Sequence, residues 1–179
     1  MKLNNLIFTA LAGFSIILTG CQNNDENEQH YDNKLFISAS NFTKEILFKA
    51  GDTNVETGLS VAIAKPEKHD IKVTMSPAPE LLSTYKQAYY DETAVLLSEA
   101  HYSMPETSTT IKSGSIVSPE LPIEFINTGE LDIKTTYVLP VTIKSVEGIG
   151  VLQSAKTYYY VFRGASLIYV VCYISRNRA

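Results

Sequence analysis

From Leu35 onward the chain alternates apolar and polar positions with a period of two, interrupted by turn residues. Leu59, Val61 and Ile63 alternate with Ser60, Ala62 and Ala64, and Ile71, Val73 and Met75 alternate with Lys72 and Thr74. Successive side chains of a strand point to opposite faces, so both runs predict strands with one buried face. Pro66-Glu67-Lys68-His69-Asp70 between them supplies a turn, and the pair reads as a hairpin. Leu121, Ile123 and Phe125 after Pro119 follow the same rule, as do Tyr137, Leu139, Val141 and Ile143. The run Thr157 to Arg163 is apolar or aromatic on both faces, which predicts a strand covered on both sides. Pro140 has no N–H to give a ladder, so its strand is expected at an edge or a bulge there.

The alternation breaks between Pro79 and Tyr90. Leu81, Leu82, Tyr85 and Tyr89 recur at helical spacing and Pro79 suits a first turn, so one short helix is expected across an end of the strands. A further helical turn is expected around Thr93 to Leu97. Short strands at near-regular spacing, separated by Gly, Pro, Asn and Asp, predict an all-β fold with one short helix. The expected architecture is an antiparallel β-sandwich rather than a parallel α/β sheet.

The N-terminus follows a different rule. Lys2 precedes an apolar run from Leu6 to Leu18 that ends in Leu18-Thr19-Gly20-Cys21. The run is shorter than the roughly 18 to 20 residues a spanning helix needs, so residues 1–20 read as a signal peptide. Small residues before Cys21 form a lipobox, and the thiol is the expected lipid attachment site. Acyl chains contribute about 0.8 kcal/mol per buried methylene, so the expected partner is a membrane, reached through lipid and not through a spanning segment. Residues 21–33 carry Gln22-Asn23-Asn24-Asp25-Glu26-Asn27-Glu28-Gln29, with no apolar side chain, and read as a disordered acidic tether. Acids this close behind a lipidated cysteine resemble a surface-export signal of Bacteroidetes lipoproteins, which implies an outer-membrane protein facing the cell exterior. The sandwich domain is expected over 34–167.

Composition narrows the function classes. The chain has 179 residues, a formal charge of −4, 45% hydrophobic and 19% charged residues, which suits one globular domain and excludes a fully disordered chain. It lacks the concentrated positive field a phosphate backbone requires, so no nucleic-acid partner is expected. His30, His69 and His101 have no second ligand at metal-site spacing, and neither a metal nor another cofactor is expected. No nucleophile elbow, dinucleotide fingerprint or phosphate loop is present, so the chain reads as a non-enzyme. Asp91-Glu92 and Glu130-Asp132 could supply the two acids of a glycosidase, and they fit exposed loop acids equally. Glu67, His69 and Asp70 read as a solvated turn. If lipid consumes Cys21, Cys172 has no partner and no disulfide forms.

The aromatic inventory is 11 Tyr, 7 Phe and no Trp. Sugar rings stack their apolar faces on flat aromatic rings, and Tyr85, Tyr89, Tyr90 and Tyr102 are the candidates for a glycan-stacking platform. The alternative is that helix-spaced tyrosines pack on the sheet. Tyr158, Tyr159 and Tyr160 read as core and sheet-face residues.

Five segments carry a likeness to a known family. They are Ser83-Thr84-Tyr85, Leu96 to Tyr102, Thr110 to Gly114, Thr136 to Ile143 with its Tyr-Val-Leu-Pro-Val, and Tyr159 to Gly164 with its Phe-Arg-Gly. Together they resemble the N-terminal domain of unknown function of Bacteroidetes surface lipoproteins. In that family it precedes an endo-β-N-acetylglucosaminidase-like or LamG-like domain. The resemblance covers about Leu35 to Leu167. It implies an immunoglobulin-like sandwich serving polysaccharide utilisation as a glycan-binding or spacer module, with a glycan ligand and outer-membrane glycan-import partners. It implies no catalysis by this domain. Residues 168–179 depart from the family: the apolar stretch reaching Ile174, then Ser175-Arg176-Asn177-Arg178-Ala179, reads as the end of a truncated or frameshifted chain.

Overall fold

The computed structural model describes residues 32–165. Cys21, the expected signal peptide over 1–20, His30, most of the expected tether, Cys172 and the 168–179 tail lie outside the described residues.

One layer of the fold is a long sheet. Its strands, in spatial order, are β2 (Thr43–Phe48), β12 (Thr157–Gly164), β10 (Tyr137–Val146), β5 (Ile71–Pro77) and β8 (Ser108–Ile111), with β6 (Val95–Leu96) also paired to β10. The other layer has two short sheets. One holds β3 (Val55–Leu59), β9 (Leu121–Phe125) and β7 (Tyr102–Ser103); the other holds β11 (Gly150–Val151), β1 (Lys34–Ile37) and β4 (Val61–Ala62). The chain runs from β3 into β4 through Ser60, which links the two short sheets.

The predicted alternation decides what goes inside. Leu121, Ile123 and Phe125 from one layer meet Leu139, Val141, Tyr160 and Phe162 from the other in a single core. Phe125 packs edge-on against Tyr160 and Phe162, with ring centres 5.2 and 4.6 Å away. Such edge-to-face pairs add to the area they bury. This is a β-sandwich with one short helix, as the sequence pattern leads one to expect.

Four details differ from the sequence reading. The stretches 59–63 and 71–75 do not form a hairpin: β4 pairs with β1, whereas β5 pairs with β10 and β8, so the turn at 66–70 carries the chain between layers. Alternation determines which face is buried but is silent about the partner. Residues 93–97 form no helical turn; Val95 N–H donates to Thr136 and Leu97 N–H to Val138, so the backbone runs extended along β10. The sandwich is not wholly antiparallel, because β2 runs parallel to β12, β6 to β10 and β11 to β1.

Pro140 sits in a central strand, not an edge one. Its carbonyl accepts from Ala78 N–H at 2.9 Å, on the side where Val138 accepts from Leu97 N–H. Its missing N–H therefore falls at the junction between β6 and β5. The register shift in β10 lies further on, between Ile143 and Ser145.

The helix, α1 (Leu82–Tyr89), follows a 3-10 turn at Pro79–Leu81 and covers the outer face of the long sheet. Tyr85 and Ala94 pack there against Val138, Tyr159 and Val161. Strand β12 is thus buried on both faces, as its apolar pattern predicts. Its end explains the Phe-Arg-Gly segment. Phe162 enters the core, Arg163 points outward, and a Cβ on Gly164 would collide with the Ile133 backbone.

Candidate ligand-binding face

The helix leaves part of the outer face of the long sheet open. On β2, Glu45 and Leu47 share that face; on β12, Tyr159, Val161 and Arg163 do so. The parallel register sets Val161 beside Glu45 and Arg163 beside Leu47. Leu47 is exposed, and a cavity of about 300 Å³ is lined by Glu45, Leu47, Arg163, Gly164 and Ala165. That volume is at the lower end of small-ligand sites.

The end of the helix leads into Tyr89, Tyr90 and Asp91 at the edge of this region. Tyr85 is buried, and Tyr89 stacks on it with ring centres 4.9 Å apart and planes 29° from parallel. Tyr159 closes the cluster at 5.3 Å from Tyr85 and 6.0 Å from Tyr89. Tyr89 keeps 41% of its surface in solvent, so it offers a ring whose orientation is held from below. Tyr90 is 93% exposed and caps the helix in the left-handed conformation, with φ 55° and ψ 35°. Glycine is the usual occupant of such a cap, because a Cβ costs roughly 1 kcal/mol there. A large aromatic ring in that place gains nothing from packing.

Next in the chain, Asp91 lies with its Oδ2 3.6 Å from an Arg163 guanidinium nitrogen, and Glu45 Oε1 lies 3.6 Å from Arg163 Nε. At that separation the charges attract but form no proper hydrogen bond, so the guanidinium N–H groups keep capacity for another acceptor. Burial pushes the Tyr85 hydroxyl above its ordinary pKa, the Asp91 charge adds to this, and nearby Arg163 opposes it. Phe42 is exposed as well, and its carbonyl accepts from Tyr159 N–H at 2.9 Å. The face thus combines aromatic rings, a cation and two carboxylates, the chemistry that meets a ligand having both apolar faces and hydroxyl groups.

The four candidate tyrosines do not form one platform. Tyr89 and Tyr90 stay available, Tyr85 serves beneath Tyr89 as support, and Tyr102 belongs to the other layer, paired with Phe125. Tyr102 lines a separate cavity of about 280 Å³ with Pro77, Pro79, Leu97 and Glu99. Burial raises its pKa, with the Glu99 charge adding. Arg163 and Glu45 are the residues that sequence reasoning overlooked. A signal was present: 159, 161 and 163 share one face of β12, and a charge at the end of an otherwise apolar outer row marks where its cover stops.

The acids considered for catalysis are engaged separately. Glu67 accepts from Asn33 Nδ2 at 2.7 Å, Asp70 from Lys112 Nζ at 2.8 Å, and Asp132 from Lys134 N–H and Thr135 Oγ1. Among the described residues, no group of three His, Cys, Asp or Glu side chains could hold a metal ion. Nor does any described helix have the length and apolar character to cross a membrane.

A family model for an N-terminal domain matches residues 31–150, and the chain belongs to that family of N-terminal domains. No curated protein matches it. Among solved structures, a Bacteroides ovatus protein provisionally assigned as carbohydrate-binding is similar, with TM-score 0.65 and 18% identity, over 73% of this chain and 36% of that one. EndoBT-3987 of Bacteroides thetaiotaomicron, solved with a Man5GlcNAc product, gives TM-score 0.60 and 19% identity over 73% of this chain and 30% of that one. The Calx CBD1 domain gives 0.51 and 9% identity over 75% of this chain and 99% of that one. These likenesses establish the immunoglobulin-like sandwich. This chain spans only about a third of the length of the two Bacteroides proteins.

Proposed function

We propose that this domain is a non-catalytic, cell-surface carbohydrate-binding module whose contact face is built from Tyr89, Tyr90 and the Arg163 cluster. The observation that carries this reading is Tyr90, an aromatic side chain almost wholly in solvent at a backbone position that favours glycine. Backbone strain retained at an exposed residue is a mark of function. Support comes also from the solved Bacteroides protein provisionally assigned as carbohydrate-binding, which has the same fold. The motif Leu18-Thr19-Gly20-Cys21 supports anchoring through a lipidated Cys21 on the outer membrane, and the acids that follow support exposure to the exterior.

The test is affinity gel electrophoresis of the full chain carrying Cys21→Ser against host and plant glycans. At least one glycan should retard the chain, and Tyr90→Ala should abolish the retardation. Retardation by none overturns the reading. Palmitate labelling of the wild-type chain but not of Cys21→Ser checks the anchor.

A second reading, a spacer presenting a catalytic domain or a glycan-import partner, draws on the family being one of N-terminal domains and on the greater length of the similar Bacteroides proteins. Under it, the tyrosine substitutions leave every glycan interaction unchanged.

A further inference from the structure

We infer that the ligand of the Tyr89–Tyr90–Arg163 face is a neutral, hydroxyl-rich glycan and not a uronate-rich or sulfated one; this rests on the carbohydrate-binding reading above. The argument is one of charge and of donor and acceptor supply. Arg163 is the cation beside the tyrosine cluster, and two carboxylates already neutralise it, Glu45 on one side and Asp91 on the other. Asp91 is fixed in place, since it is largely buried and its Oδ1 accepts from Thr93 Oγ1 at 3.2 Å. Glu92 follows it and is exposed. Lys86, in the last turn of α1, sits at the negative end of the helix dipole.

At Arg163 itself two carboxylates face one cation. An anionic sugar would bring a further negative charge toward Glu45 and Asp91, and repulsion by two carboxylates outweighs attraction by the one guanidinium between them. A neutral pyranoside meets no such obstacle. Its hydroxyls donate to the carboxylate oxygens and accept from the guanidinium N–H groups, whose 3.6 Å contacts leave them free to turn. The Tyr89 ring, held from below by Tyr85, and the projecting Tyr90 ring receive the apolar sugar face. Leu47 and the cavity beside Arg163 extend the surface without adding charge.

The experiment compares neutral α-mannan and xyloglucan with polygalacturonate and heparin as gel-embedded ligands for the full chain carrying Cys21→Ser. A neutral polysaccharide should retard the chain, the anionic ones should not, and raising NaCl from low to physiological should change the neutral retardation by less than about twofold, because exposed-charge attraction is what salt screens. Tyr90→Ala should abolish retention, and the pair Glu45→Gln with Asp91→Asn should weaken the neutral ligand while admitting polygalacturonate. Thermal unfolding of each variant checks that the fold is retained. Stronger retention by polygalacturonate or heparin overturns the neutral assignment and leaves the carbohydrate-binding reading standing. Retention by none of a full glycan panel overturns both.

Discussion

The two outer faces of the sandwich differ in what covers them. Over the long sheet, α1 buries Val138, Tyr159 and Val161 and holds Tyr89 in a fixed plane against Tyr85. Over β3 and β9 the described residues place no α-helix, and the outward positions carry Glu56, Glu120 and Glu124 around Gly58 and Pro122. Glu56 stands directly across the ladder from Glu124, a like-charge pairing that costs stability and keeps the surface solvated. Both faces hold carboxylates, yet only one pairs them with a cation and aromatic rings. Acids alone make a wet surface. Acids that flank a guanidinium beside supported rings make one that can discriminate.

The sharpest way to break this contrast is to remove the support. Tyr85→Ala should cost about 3 kcal/mol, at the lower end for truncating a buried aromatic because the satellite cluster is small, and it should release Tyr89 from its plane. Denaturant unfolding measures the loss, and glycan retention should fall with it even where the chain stays folded. The next effect has the opposite sign. Tyr90→Gly should stabilise the chain by roughly 1 kcal/mol by relieving the left-handed cap while eliminating glycan retention. If Tyr90→Gly unfolds earlier than the wild type, the ring is a packing element and the contrast fails.

A smaller change probes the other face. Glu124→Lys should add about 0.5 kcal/mol by replacing a repulsive cross-strand pair with an attractive one, with glycan retention unchanged. Loss of retention would move the site to β3 and β9. The smallest effect belongs to neither face. The Lys112 ammonium and the Ser113 N–H hold the Asp70 carboxyl below its usual pKa. A depressed folded-state pKa stabilises above the unfolded value, near 3.9, and the benefit fades as pH falls through the folded value. Asp70→Asn should therefore lower stability slightly at neutral pH and converge with the wild type in acid, flattening the acid limb of the stability curve, as a pH series of thermal melts would show.

Much of the fold was legible because burial on one face writes a period of two into the chain. Leu121-Ile123-Phe125 and Ile71-Val73-Met75 bury the residues that pattern selects, and Pro79 to Tyr89 turns where its spacing changes. Pairing was not legible, since which strand lies beside β5 depends on residues far along the chain. Val95 and Leu96 show the limit for short apolar runs: spacing fits a helical turn, but bonding to β10 decides for a strand. The candidate face was half visible. The tyrosines could be named from the sequence, but Glu45 and Arg163 meet only because β2 and β12 run parallel in register.

Gly164 has one more consequence. Wedged beneath the Ile133 backbone, with Ala165 N–H bonded to the Phe48 carbonyl, it ties the end of β12 to its neighbours on both sides. Any side chain at 164 would push Ile133 off the end of β12 and so unsettle a wall of the cavity beside Arg163.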